Sequence, residues 1–237
     1  MLQGLDVEPD RSAERTHDMP TVLYADDSIV VIDKPAGMLS VPGKDDGRLS
    51  AEQFVRQQFN IPAEVTAVVH RLDMDTSGLL VFARTQAAQR ALQTQFLKHT
   101  VKKRYEALLS GVVQQHGAAV NWQEQCISLP LRPDPYNRPL QVVDPINGKT
   151  AVSHFALGHI ENGQQHISLW PLTGRTHQLR VHCAHPDGLG CPIAGDPLYG
   201  RGIAPTPSKR LCLHAAQLCF THPVSGKPLT FNSVVPF

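Results

Sequence analysis

Along the first part of the chain, short apolar runs alternate with polar punctuation at intervals too brief for helices. In TVLYADDSIVVIDKP, the segments Val22 to Tyr24 and Ile29 to Ile32 are β-prone, and Asp26-Asp27-Ser28 between them is turn-forming, so a strand pair is predicted. Lys34-Pro35-Ala36-Gly37 stops the second strand and opens a loop through Val41-Pro42-Gly43. The period then changes. Ser50 with Gln53 three residues later has the form of a capping box, and Phe54, Val55, Gln58 and Phe59 trace a helical stripe that Pro62 ends. Ala67 to Val69 and Leu79 to Ala83 are again β-prone, and the polar stretch HRLDMDTSG separates them. Thr85 is placed to cap a second helix carrying Ala88, Leu92, Phe96 and Leu97 at helical spacing.

The second half is richer in strands. Arg104 to Val113, Ala151 to Leu157, His166 to Leu172, Leu211 to Phe220 and Leu229 to Phe231 are all β-prone. One further helix, Arg175 to about His185, is introduced by Thr173-Gly174 with Thr173 as its cap. The Pro-rich stretch PLRPDPYNRPLQ reads as an ordered loop. Strands outnumber helices and several are joined by short turns, which predicts an α+β fold: a mixed, mostly antiparallel sheet with flanking helices rather than regular βαβ winding.

Composition narrows the class. At 237 residues and 41% apolar content, one sizeable core can form, so a single domain over residues 21–237 is expected. Residues 1–20 are polar and aperiodic and read as a flexible acidic tail, with five acids against two arginines. No apolar run is long enough for a membrane span or a secretory signal, and five cysteines without a C-x-x-C pair indicate neither a disulfide framework nor a zinc knuckle. A cytoplasmic protein without metal is the expectation. A net charge of +1 does not by itself suggest nucleic acid, although Lys98, Lys102, Lys103 and Arg104 cluster, as do Arg132 and Arg138.

Two segments offer chemistry. A carboxylate in a short polar loop between apolar strands is held rigidly while its surroundings exclude water, and Asp73 is placed in that way. On spacing alone Asp73 is equally well a turn residue satisfying backbone N–H groups, and Asp75 competes for the same role. In PLTGRTHQLRVHCAH, Arg175 falls in the first turn of the expected helix, sharing a face with Leu179. His177, His182, His185 and Cys191 match no familiar zinc-ligand spacing.

HRLDMDTSGLLVFAR resembles the motif H-R-L-D-x-x-T-S-G-L of the RluA family of pseudouridine synthases. IDKPAGMLSVPG, VKKRYEALLSG, and PLTGRTHQLRVH before GDPLYG also match that family, in its order, so the resemblance extends from about Thr21 to the C-terminus. It implies the pseudouridine synthase catalytic fold and a cofactor-independent isomerisation of uridine in structured RNA. Asp73 would be the essential aspartate, acting at C1′ of the target ribose, Tyr105 the tyrosine that stacks on the base, and Arg175 the arginine paired with Asp73. His70, Arg71 and Thr76 beside Asp73 would contact the flipped nucleotide, while Lys102, Lys103, Arg104 and Arg138 would bind RNA phosphates. The absence of an S4-like module and the segments SVPG and PYNRPLQ make the chain most similar to the compact RluA subgroup, which implies ribosomal RNA, a tRNA anticodon stem-loop, or both as substrate. No cofactor, protein partner or membrane is implied, and a monomer is expected. Two other readings predict different products: a catalytically minor RNA-binding or chaperone protein on the same fold, and a hydrolase that releases free uracil or cleaved RNA.

Overall fold

The computed structural model describes residues 19–43, 47–114, 117–200 and 208–237. Nearly all of the expected N-terminal tail, residues 1–18, lies outside the described residues. β1 (Thr21–Ala25) and β2 (Ile29–Lys34) form the expected antiparallel pair, closed by Asp26, whose Oδ1 accepts from Ser28 N and Ile29 N. α1 (Ala51–Phe59) begins with the complete Ser50–Gln53 capping box and ends at Asn60 in the left-handed conformation, two residues before Pro62. β3 (Ser77–Ala83) follows, then α2 (Gln86–Leu97), capped by Thr85. Ala67 to Val69 was expected as a strand; it makes only an isolated bridge, Val68 to Phe82, beside β3.

β4 (Lys102–Leu108) is shorter than the predicted Arg104 to Val113 and starts earlier. β5 (Val120–Asn121), β6 (Cys126–Ser128), β9 (Val152–Glu161), β10 (Gln164–Pro171), β11 (Leu213–Thr221) and β12 (Pro228–Asn232) complete one ten-stranded sheet. Its order is β1-β2-β3-β11-β4-β10-β9-β6-β5, with β12 paired to β11. β7 (Leu131–Pro133) and β8 (Gln141–Val143) make a separate hairpin inside the stretch read as a Pro-rich loop. α3 (Gln178–Ala184) is the third helix. The mixed, mostly antiparallel expectation holds: β3 with β11 is the parallel pairing, at Ser77 and Gly78 against His214 and Ala215.

β2 and β3 are buried on both faces, which is why they read as continuous apolar runs. Val30, Ile32, Leu80 and Phe82 meet Ala51 and Val55 of α1 on one side. Ile29, Val31, Leu79 and Val81 meet Ala88 and Leu92 of α2 on the other. A third cluster, including Ala107, Phe155, Ile167, Leu169, Leu179 and Val181, packs α3 onto the C-terminal half of the sheet. The junction of the halves is tight: Gly78 has φ +114°, and a Cβ there would lie 2.4 Å from the Ala215 carbonyl oxygen. Only glycine fits at this point, and it lets the segment leaving Asp73 join the middle of the sheet.

Candidate active site

Asp73 sits in the loop immediately before β3, and neighbouring segments hold that loop from beneath. Ser40 Oγ donates to the Leu72 carbonyl at 2.6 Å and accepts from Leu72 N at 3.0 Å. Gly37 N donates to the Met74 carbonyl at 2.9 Å. The fully buried Lys34 Nζ donates to three carbonyls, those of Pro35, Met38 and Met74, at 2.8–3.0 Å. Burial lowers the Lys34 pKa to about 7, although the Asp75 and Asp73 charges oppose the shift. KPAGMLS and HRLDMD, 40 residues apart, thus form one rigid unit. Leu72 points into the core and the Asp73 side chain, 25% exposed, lies in a cleft of about 340 Å³.

The opposite wall corrects one expectation. Arg175 lines the cleft but is exposed, and its Nε donates to the Thr150 carbonyl at 3.0 Å. The cation beside Asp73 is instead Arg180, with 3.9 Å from its guanidinium to Asp73 Oδ2. The physical reason is that α3 starts later than predicted. The Gln178 side chain accepts from Thr173 Oγ1 and Arg175 N and donates to Val152 O and Ser153 Oγ, so residues 173–176 form a turn tied to β9. His177, with φ 53°, then precedes the helix without a side-chain cap. Thr173 is therefore no helix cap and Arg175 occupies no first turn. Arg180, one turn into the wall, is 2% exposed and makes a two-pronged bond to the buried Asp196, at 2.7 and 2.6 Å. Burial disfavours its charge, but the hydrogen bonds to Asp196 and the Asp196 and Asp73 charges more than offset that and hold it protonated. Tyr199 completes this wall: its ring faces the Arg180 guanidinium at 5.3 Å, and its hydroxyl pairs with His177 Nδ1 and accepts from Gln141 N, both at 2.8 Å.

Tyr105 lies between the walls in β4, packed against both the N-terminal and C-terminal cores. Burial, reinforced by the Asp73 charge, raises its pKa well above the ordinary phenol value, so it stands as a neutral phenol. The basic run around it divides. Strand alternation sends Lys103 to the Tyr105 side, and Lys103 and Tyr105 both line the cleft. Lys102 is exposed and Arg104 pairs with Glu106 at 3.0 Å, so of the three only Lys103 lines the cleft. Arg138 is exposed at the tip of the β7–β8 hairpin and lines no part of the cleft.

The residues around Asp73 also separate. His70 is directed inward: its Nε2 accepts from Val81 N at 3.1 Å, its ring stacks on Phe96 at 4.6 Å, and burial lowers its pKa to about 3. The imidazole so engaged braces the loop, and it also lines the cleft beside Asp73. Arg71 is exposed at the cleft mouth, within 3.4 Å of Thr176 Oγ1, and Thr76 is buried at the cleft floor. His177, His182, His185 and Cys191 do not converge as a donor set; among the described residues the group with ligand atoms within 4.8 Å of one another is His159, Glu161 and His166, on the β9–β10 hairpin. Lys34, Arg180, Asp196 and Tyr199 were not singled out from the sequence. The usable signal for Arg180 was a cation inside the apolar run QLRVHCA, which demands a buried acid as partner.

Residues 28–185 match the family model for RNA pseudouridylate synthases. The chain belongs to that family. A dual-specificity RNA pseudouridine synthase RluA of Haemophilus influenzae is 41% identical over 220 residues, covering 91% of this chain and 93% of the relative. The protein of the same name in Escherichia coli is 40% identical over 217 residues, with 91% and 93% covered. Among solved structures, human RNA Pseudouridylate Synthase Domain Containing 1 superposes with a TM-score of 0.68 at 26% identity, covering 92% of this chain and 84% of that one. Human RNA Pseudouridylate Synthase Domain Containing 4 has the same TM-score at 24% identity and shows the shared fold.

The chain is thus an RNA pseudouridine synthase, an isomerase that acts on uridine in RNA. For such an enzyme the cleft has suitable proportions: it is concave and half apolar, with one carboxylate, one buried guanidinium and one aromatic face converging on it. C1′ and C5 of a stacked uridine are inaccessible to a protein side chain, so the base has to leave its stack to enter the cleft.

Proposed function

We propose that Asp73 is the residue that acts at C1′ of the target uridine, that Arg180 orients its carboxylate, and that Tyr105 forms the face against which the base lies. The single observation supporting this is the convergence of Asp73, Arg180 and Tyr105 in one cleft from three separate parts of the chain. In the reaction, the Asp73 carboxylate attacks C1′ or initiates an elimination there, and the N1–C1′ bond breaks with its electron pair passing to the uracil. The freed base turns so that C5 faces C1′, and a C5–C1′ bond forms as the Asp73–C1′ bond breaks or, on the elimination route, as the proton taken from the ribose is returned. C5 then loses its proton and N1 gains one, which restores the ring. Nothing is oxidised or reduced, and the product is an isomer of the starting nucleoside.

Within this cycle, the fixed Arg180 charge, 3.9 Å from Asp73 Oδ2, aims the carboxylate without reorganisation. Asp196 is the positioning group behind it, because it holds the guanidinium plane at two points. As a neutral phenol, Tyr105 offers a ring face and an O–H rather than a resident base, so it takes part in C5 deprotonation only through a hydrogen bond or a relayed proton.

The substrate we infer is an exposed uridine in ribosomal RNA, in a tRNA anticodon stem-loop, or in both. The dual-specificity naming of relatives that share about 40% identity over 91% of the chain supports this reading. Such loops present unstacked bases that an aromatic face can take. We place the enzyme in the cytoplasm as a monomer; among the described residues, no helix is long and apolar enough to cross a membrane. The test is to incubate the purified chain with unmodified ribosomal RNA fragments and tRNA anticodon stem-loop transcripts and map pseudouridine at each position. Conversion in one or both classes is expected. RNA that stays unmodified, or that releases uracil, overturns the assignment.

A further inference from the structure

Beyond Tyr105 the cleft does not close. Phe96, His99, Lys103, Pro171 and Leu172 line both it and a second groove of about 80 Å³ that continues to Val101, Lys102 and Trp170. Trp170 is 36% exposed and Leu172 48% exposed at the end of β10, where strand alternation turns Leu169 into the core and Trp170 outward. The chain's other tryptophan, Trp122, behaves differently: it packs edge-on against Phe155 at 5.8 Å. An indole left partly open at the mouth of a nucleotide site is an amphipathic surface that gains by being covered. Exposed Lys102 and half-buried Lys103 bring positive charge to the same groove.

We propose that this groove binds the nucleotide adjacent to the target uridine, its base covering Trp170 and its phosphate held by Lys102 and Lys103. The proposal rests on the reading that the flipped uridine enters the cleft at Asp73. Continuity selects the occupant: five residues are shared between groove and cleft, so RNA whose target base reaches Asp73 carries its neighbour across Trp170. At about 80 Å³ the groove is far smaller than the cleft, so a base lies against Trp170 rather than entering a pocket of its own. Recognition there is by stacking and charge, which every base satisfies, and it contributes affinity more than sequence choice. This also gives the divided basic run a use, because Lys102, which does not serve the cleft itself, borders the groove.

The experiment uses a Trp122→Phe chain, in which Trp170 is the single tryptophan, and a stem-loop transcript that the wild type converts to pseudouridine. Titrating the RNA should quench the Trp170 emission with the same midpoint as binding measured by anisotropy of labelled RNA. Trp170→Ala should raise KM roughly tenfold, the scale of one stacked base, with the loss falling on KM rather than kcat. Trp170→Phe should recover most of it, which separates stacking from a folding defect, and raising the salt should weaken binding of Lys102→Gln less than that of the wild type. Emission unchanged at saturating RNA, or a KM within twofold of wild type in Trp170→Ala, overturns the groove assignment while wild-type turnover leaves the active-site reading standing. If the wild type converts no RNA, that reading falls, and this proposal with it.

Discussion

The two walls of the cleft are built on different principles. The Asp73 wall is local in form: a polar loop between apolar segments, fastened by backbone hydrogen bonds and by the three carbonyl contacts of Lys34. The Arg180 wall depends on one ion pair, Arg180 with Asp196, carried by a short helix that follows a turn organised by Gln178. The first wall fixes where a carboxylate sits. The second fixes the direction of a charge. Two arginines five residues apart lie on that wall, and burial rather than the motif decides which one faces Asp73.

The sharpest way to break the comparison is to remove the ion pair. Arg180→Met leaves the Asp196 carboxylate buried and unpaired, which is expected to cost about 3–5 kcal/mol of stability, read by urea unfolding, and to abolish turnover. If Arg180→Met keeps wild-type stability, the second wall does not depend on the pair. On the first wall, Gly78→Ala is expected to destabilise by about 3 kcal/mol, because the new Cβ meets the Ala215 backbone in a conformation that side chains rarely adopt. A thermal midpoint within a degree of wild type would contradict this.

Each wall also holds a buried histidine, and these give a smaller effect that depends on pH. His214, bonded to Ser77 Oγ and Ser233 Oγ at 2.8 Å each, has its pKa lowered to about 4 by burial. His182, fully buried in α3 with no hydrogen-bond partner for either ring nitrogen, is lowered to about 3 by burial. In both cases the fold favours the neutral ring, so the unfolded chain binds more protons below its own pKa of about 6.5. The stability they contribute is present above that pH and declines as pH falls toward 4, by about 1.4 kcal/mol per pH unit for each histidine. Unfolding curves at pH 7.5, 6 and 5 on the wild type and on His214→Gln should show a shallower slope in the variant; equal slopes would remove His214 from the account. The smallest effect belongs to Arg175→Ala, within about 0.5 kcal/mol of wild-type stability and far milder for turnover than Arg180→Met. Equal turnover losses in the two variants would erase the distinction drawn between them.

Much of the sheet was legible because β2 and β3 are apolar on both faces and α1 and α2 carry explicit caps at Ser50 and Thr85. Asp73 was legible as a candidate from its loop, and the resemblance of HRLDMDTSG raised it above Asp75. The place of Arg180 was hidden because its partner, Asp196, lies 16 residues further on, and because the Gln178 side chain replaces the expected cap and delays the helix. The split of Lys102, Lys103 and Arg104 followed from β alternation, but only once β4 was known to begin at Lys102. The staple at Lys34 was invisible for another reason: its partners are backbone carbonyls, which no residue pattern encodes.

The most direct measurement compares wild type and Asp73→Asn on a uridine-containing stem-loop that the wild type converts, with RNA affinity followed in parallel. The account predicts that pseudouridine formation in Asp73→Asn falls by at least about a thousandfold, the scale of removing the reacting group, while RNA binding is retained. Turnover by Asp73→Asn near the wild-type rate would contradict it.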